Sequence, residues 1–128
     1  FSYSFSDFIF DSYVVDGLAY DNNRLPAIPK HHAFLSFKYK FNPTIGLEIK
    51  SKHVGAFFAD DKNNNEVDGY SIFKFRLWKD FKNYNLYVGA NNLFNKKYFD
   101  NIRINAFANR FYEPAPMRNY YAGINFKI

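Results

Sequence analysis

The chain has 128 residues, enough for one domain with a core of its own and too few for two large ones. It holds no cysteine, which excludes a disulfide framework and thiolate chemistry, and 23% of it is aromatic, which favours strands over helices. A formal charge of +5 suits an anionic membrane surface, an anionic ligand or nucleic acid, so the placement of the charges has to decide among them.

Alternation begins at the first residue, with Phe1, Tyr3 and Phe5 set against Ser2, Ser4 and Ser6. A run already under way there points to a chain cut from something longer, with no signal peptide in front. A long polar connection follows, roughly 11–31. Leu35, Phe37, Tyr39 and Phe41 then alternate with Ser36, Lys38 and Lys40, and a tight turn at Asn42-Pro43 leads into Ile45, Leu47 and Ile49 against Gly46, Glu48 and Lys50. A second long connection spans roughly 59–68. Phe73, Phe75 and Leu77 next alternate with Lys74, Arg76 and Trp78. After a short turn near Lys82-Asn83, Tyr84, Leu86, Val88 and Ala90 alternate with Asn85, Tyr87, Gly89 and Asn91. The third long connection covers roughly 95–117, and Tyr120, Ala122, Ile124, Phe126 and Ile128 close the chain against Tyr121, Gly123, Asn125 and Lys127.

Period-two alternation marks strands with one apolar and one polar face. No stretch approaches the roughly 18 consecutive apolar residues of a membrane-spanning helix. Mean hydropathy is negative, yet in a transmembrane strand apolar and polar neighbours cancel, so that average is blind to a barrel. Long and short connections take turns, which predicts an all-β, antiparallel up-and-down meander of about six strands, long loops at one end and tight turns at the other. Large transmembrane β-barrels have this asymmetry, with the long loops outside the cell. Lys38, Lys40, Glu48, Lys50, Lys52, Lys74 and Arg76 all fall on polar faces, as they must if the other face meets lipid, where Arg or Lys at the midplane costs about 2–4 kcal/mol. Tyr39, Phe41, Trp78, Tyr84 and Tyr120 sit near strand ends, where aromatic girdles belong.

Three stretches carry a family likeness. Asn23-Arg24-Leu25-Pro26-Ala27-Ile28-Pro29-Lys30-His31 precedes a strand, and Val88 to Tyr98 contains Gly89-Ala90-Asn91-Asn92-Leu93-Phe94-Asn95-Lys96-Lys97-Tyr98. The third comprises Arg103 to Phe107, Tyr112-Glu113-Pro114-Ala115-Pro116 and Arg118-Asn119. Together they resemble the late strands and last extracellular loop of TonB-dependent outer-membrane receptors. At the C-terminus, Gly123, Phe126 and Ile128 are similar to the outer-membrane assembly signal, although Ile128 stands where an aromatic residue is usual. The resemblance implies that residues 1–128 are the C-terminal segment of a 22-stranded barrel, with the plug domain and earlier strands absent. It implies a Gram-negative outer membrane, contact with its lipid and lipopolysaccharide, and the barrel-assembly machinery as a partner. It also implies TonB and a plug domain acting through the rest of the protein, and uptake of an iron complex or similar scarce nutrient.

Within the last long loop, Arg103, Asn105, Arg110 and Tyr112 are the candidate ligand contacts, because guanidinium groups pair well with carboxylates. The alternative is that the arginines brace the loop or bind lipopolysaccharide phosphates. His31, His32 and His53 are the only histidines; the first two point to opposite strand faces, so no metal site is expected. Asp60, Asp61, Glu66 and Asp68 lack the spacing of a calcium loop and read as a solvated loop. No nucleophile elbow or phosphate-cradling loop suggests an enzyme, and no cofactor is expected. The rivals are a soluble β-sheet module for single-stranded nucleic acid and a soluble lipid-carrying barrel. Nucleic acid is not expected as a partner, since aromatics and basic residues occupy opposite faces rather than interleaving on one.

Overall fold

The computed structural model describes residues 1–105 and 112–127. Six antiparallel strands form one sheet in chain order: β1 (Ser2–Phe5), β4 (His31–Lys40), β5 (Ile45–Val54), β8 (Tyr70–Asp80), β9 (Tyr84–Asn91) and β12 (Asn119–Phe126). Neighbours in sequence are neighbours in space, so the meander expected from the alternation is the meander found. The tight turns lie at 41–44 and 81–83, and the long connections all emerge at the opposite end. Asn42 builds the first turn with its own side chain, accepting hydrogen bonds at Oδ1 from the Thr44 and Ile45 amides at 2.9 and 2.8 Å.

The pairing register sorts every side chain onto a face. One row across the middle runs Phe37, Ile49, Phe75, Ala90, Tyr120, and the next runs Tyr39, Leu47, Leu77, Val88, Ala122. Directly paired residues share a face, so the apolar positions of separate strands merge into one band. One polar residue, Ser51, interrupts this face between Leu35 and Phe73, and the others of these strands stand at its margins: Ser71, His53 and His31 at the loop end, Lys79 at the turn end. The eleven residues of β8 span about 33 Å, or about 25 Å along an axis from which the strand tilts by about 40°. That matches the apolar band of a transmembrane barrel.

The opposite face gathers Lys38, Glu48 and Arg76 in one row and Ser36, Lys50 and Lys74 in the next. Trp78 also belongs here, paired with Gly46 and Tyr87, which corrects its expected place in the outer girdle. Its indole lies over Gly46, where an added Cβ would come within 2.1 Å of Cζ2. Tyr39, Tyr84 and Tyr120 keep to the apolar face, at register positions opposite Leu47, Phe126 and Ala90.

The long connections are not plain loops. Each folds back as a small hairpin: β2 (Val14–Val15) with β3 (Leu18–Ala19), β6 (Phe57–Phe58) with β7 (Glu66–Val67), and β10 (Phe99–Ile102) with β11 (Tyr112–Pro114). The first turns at Asp16-Gly17, both with positive φ, 51° and 75°, the geometry of a type I′ turn.

Candidate functional site

The larger buried apolar side chains of the sheet lie on the polar face, at the loop end. Val54, Tyr70 and Ile72 are buried there, with Phe57 of the second connection and Tyr98 of the third packed on them. The Tyr98 and Tyr70 rings are 4.4 Å apart, and loss of water around both phenols, with Asp100 nearby, raises the Tyr98 hydroxyl above its ordinary pKa. The connections therefore bend over the polar face and roof it. The apolar face is left open: Phe37, Tyr39, Val88 and Phe126 are at least half exposed.

The roof is tied together through its middle connection. The Asn23 side chain donates to the Asp61 carbonyl at 2.8 Å, and Asn63 Oδ1 accepts from the Arg24 amide at 2.7 Å while its Nδ2 donates to the Arg24 carbonyl at 2.9 Å. The Ala27 amide donates to the Phe58 carbonyl at 2.8 Å. The 23–31 stretch, singled out by its sequence, is thus the seat on which the middle hairpin rests. From the other side, Asn105 Nδ2 donates to Asp61 Oδ2 at 2.7 Å and its Oδ1 accepts from the Asp61 amide at 3.0 Å. Tyr13 donates to the same carboxylate at 3.4 Å; desolvation, with the Asp61 charge behind it, raises the Tyr13 pKa. Asp60 is buried, accepting from the amides of Asn64 and Asn65 and from Asn65 Nδ2. The acidic loop read as merely solvated is therefore a structural hub at Asp60 and Asp61. Asn105→Ala removes both side-chain hydrogen bonds to Asp61 and leaves the backbone bond from the Asn105 amide to the Ala59 carbonyl at 3.0 Å, and limited proteolysis should then cut the 99–118 segment faster while the sheet stays protected.

The second family-like stretch has an equally local purpose. Asn92, 3% exposed, donates to the carbonyls of Lys96 and Pro116 and accepts from the Lys96 amide. Asn95 Oδ1 accepts from the Arg118 amide at 2.9 Å. Two asparagines, both with positive φ, thereby turn the chain out of β9 and hold the approach to β12.

Of the four loop residues singled out as ligand contacts, the three described ones each have a separate local partner. Arg103 is engaged with Glu113, through Nε at 3.2 Å and Nη2 at 3.2 Å. Asn105 serves the hub, the Tyr112 ring lies 4.5 Å from Phe99, and Arg110 lies outside the described residues. Asn101 Nδ2 also donates to Glu113, at 3.0 Å. This hydrogen bond and those from Arg103 hold the Glu113 carboxyl below its ordinary 4.5. A lowered folded-state pKa stabilises the β10–β11 hairpin above pH 4.5, and that stabilisation is lost as the pH falls through the folded value. Protection of the hairpin amides, taken relative to the intrinsic exchange rate at each pH, should therefore fall on acidification below pH 4.5, and Glu113→Gln should flatten the dependence.

The histidines do not converge. His31 and His53 lie on the apolar face at its loop-end margin, and His32 lies on the polar face. Gly123 and Phe126 sit in β12 on opposite faces, paired with Tyr87 and Tyr84; Ile128 lies outside the described residues.

What the arrangement offers chemically is a cationic inner surface. Lys38, Lys40, Lys50, Lys52, Lys74 and Arg76 share it with Glu48, which binds Lys38 at 3.5 Å and Lys50 at 3.2 Å. Arg76 lies over the Tyr87 ring at 4.3 Å.

A family model described as TonB dependent receptor-like, beta-barrel, matches residues 1–93. That match takes in the 23–31 stretch and ends inside the second one. The siderophore receptor PiuA from Acinetobacter baumannii is similar at a TM-score of 0.75 and 25% identity, covering 90% of this chain and 17% of that one. The ferric citrate transporter FecA in its unliganded form is similar at 0.70 and 24%, covering 82% and 18%. BauA, the ferric preacinetobactin receptor from Acinetobacter baumannii, is similar at 0.71 and 17%, covering 97% and 18%. The last two likenesses carry the fold alone. The chain spans less than a fifth of the length of each of these structures.

Proposed function

Because the chain belongs to the TonB-dependent receptor β-barrel family, we propose that it is the C-terminal stretch of wall in an outer-membrane receptor that imports an iron complex or similar scarce nutrient. The observation that carries this reading is the apolar band. Its two middle rows cross β4, β5, β8, β9 and β12 without a polar residue, on the face that the loops do not cover, and lipid is the solvent such a face suits. A soluble nucleic-acid module or lipid carrier would bury that face or turn it inward.

Both edges of the sheet, β1 and β12, lack a partner strand among the described residues. Unpaired backbone groups cannot stand in hydrocarbon, so further strands of the parent protein are expected to close the wall, with β12 as the edge offered to the assembly machinery. A plug filling the enclosed lumen, and TonB acting on that plug, complete the cycle in this reading. The loop carrying Arg103, Asn105, Arg110 and Tyr112 belongs to the outer vestibule, where Arg103 and Asn105 hold its shape.

The test is to express the parent protein, isolate outer membranes and ask for a heat-modifiable band, then to measure radio-iron uptake with and without a working TonB. A heat-modifiable outer-membrane product whose uptake depends on TonB is the expected result. A product that is soluble without detergent overturns the reading.

A further inference from the structure

We propose that β12 is keyed to β9 by two reciprocal ring-on-glycine joints, Tyr121 over Gly89 and Tyr87 over Gly123, and that this key sets the stagger at which the wall closes. The joints need only the two strands; the consequence for closure rests on the receptor reading. The pairing puts Tyr121 opposite Gly89 and Gly123 opposite Tyr87, so each strand offers a ring and a glycine two residues apart. A Cβ added at Gly123 would run into the Tyr87 phenol. One added at Gly89 would run into the Tyr121 phenol and would also lie 2.6 Å from the Phe75 carbonyl oxygen. Glycine inside a strand marks a close approach, and here the approaching group is a ring each time. Arg76, on β8, lies over the Tyr87 ring at 4.3 Å, so a third strand helps to seat it.

The need for a key follows from the connections. The pairs β4–β5 and β8–β9 are joined by tight turns, which set register. The pair β9–β12 is joined through residues 92–118, a span too long to dictate it. A slip of two residues, about 7 Å, keeps every side chain on its own face, and the apolar face offers no resistance. One slip would pair Ala122 with Leu86 and Ile124 with Tyr84; the other would pair Ala122 with Ala90 and Phe126 with Leu86. All of these are apolar partners. The inner face does discriminate. The first slip sets Tyr121 against Tyr87, and the second sets Gly123 against Gly89 and leaves both rings unseated. Of the three registers, the observed one alone seats both rings, and cross-strand pairs of this kind pin register. A further contact that a slip would break is the hydrogen bond between Asn91 and Asn119 at the loop end, 2.9 Å long.

The experiment is disulfide trapping in outer membranes of cells that express the parent protein. This chain has no cysteine, and any elsewhere in the parent are replaced by serine. Ala122→Cys with Val88→Cys reports the observed register; with Leu86→Cys or Ala90→Cys it reports the two slips. Linked peptides are quantified by mass spectrometry. The 88–122 link should predominate in the unaltered background. Gly123→Tyr sets ring against ring while leaving both asparagines in place, and should reduce that link by about tenfold or more. Whatever assembles should move to the 90–122 link, the slip that seats the new ring over Gly89. Adding Tyr87→Gly rebuilds the joint with ring and glycine exchanged, and should restore both the 88–122 link and the heat-modifiable band. If Gly123→Tyr leaves link and band unchanged, the asparagines set the register and the key is overturned. A second substitution that restores nothing, whether or not the single variant assembles, overturns it too. An unaltered protein that assembles with a slipped link removes the key and leaves the receptor reading standing. One that shows the 88–122 link but is soluble without detergent keeps the key and removes that reading.

Discussion

Replacing Ile49 by arginine should keep the parent protein from assembling in the outer membrane. Ile49 stands between Phe37 and Phe75 in the middle row of the apolar face, and a guanidinium held there costs about 2–4 kcal/mol. The next residue supplies the control. Lys50 points to the other face, so Lys50→Arg should leave assembly unchanged, although the two positions are adjacent in sequence. Heat-modifiable band intensity in outer-membrane fractions, and the urea midpoint of whatever folds, read the contrast. Assembly of Ile49→Arg at the unaltered level would mean that the apolar face does not meet lipid.

A valine at Gly46 is the second large effect expected. A Cβ there would lie 2.1 Å from Trp78 Cζ2 and 2.6 Å from Cε2, so the indole must leave its seat, and overpacking of this kind costs about 1–3 kcal/mol. Trp78→Ala should make Gly46→Val nearly harmless, because the clash goes with the ring. The coupling in a double-mutant cycle should fall within about 0.5–3 kcal/mol. Additive effects would show that the ring is not what confines Gly46. The same geometry recurs where Tyr121 lies over Gly89 and Tyr87 over Gly123, so the inner wall repeatedly sets an aromatic ring against a glycine of the adjacent strand.

Much of this was legible because a strand's period of two maps sequence parity onto a face without any tertiary knowledge. Lys38 to Lys52 and Phe73 to Leu77 fell on the right sides for that reason alone. Trp78 was misplaced because its position near a strand end suggested a girdle, while its parity already assigned it to the polar face. The small hairpins escaped because strands of two to four residues show too little periodicity; Asp16-Gly17, between Val14-Val15 and Leu18-Ala19, carries turn chemistry but was read only as part of a long polar connection. The hub at Asp61 was out of reach. Its partners Asn23 and Asn105 are 38 and 44 residues away, and nothing local marks an asparagine as bound to a distant loop rather than to water. Lys50 and Lys74 were readable as inward cations, but their direct opposition depends on a register that the turns alone do not fix.

The middle connection sits in the roof as a keystone sits in an arch. The outer two are joined to it, through Asn23, Arg24 and Ala27 on one side and Asn105 on the other. Asp61 and Asn63 thereby couple the two flanks, and the three connections are expected to hold or loosen together rather than separately. Exchanging one of them alone for a foreign loop is expected to loosen the others, so an intact rim is expected to need all three transplanted together.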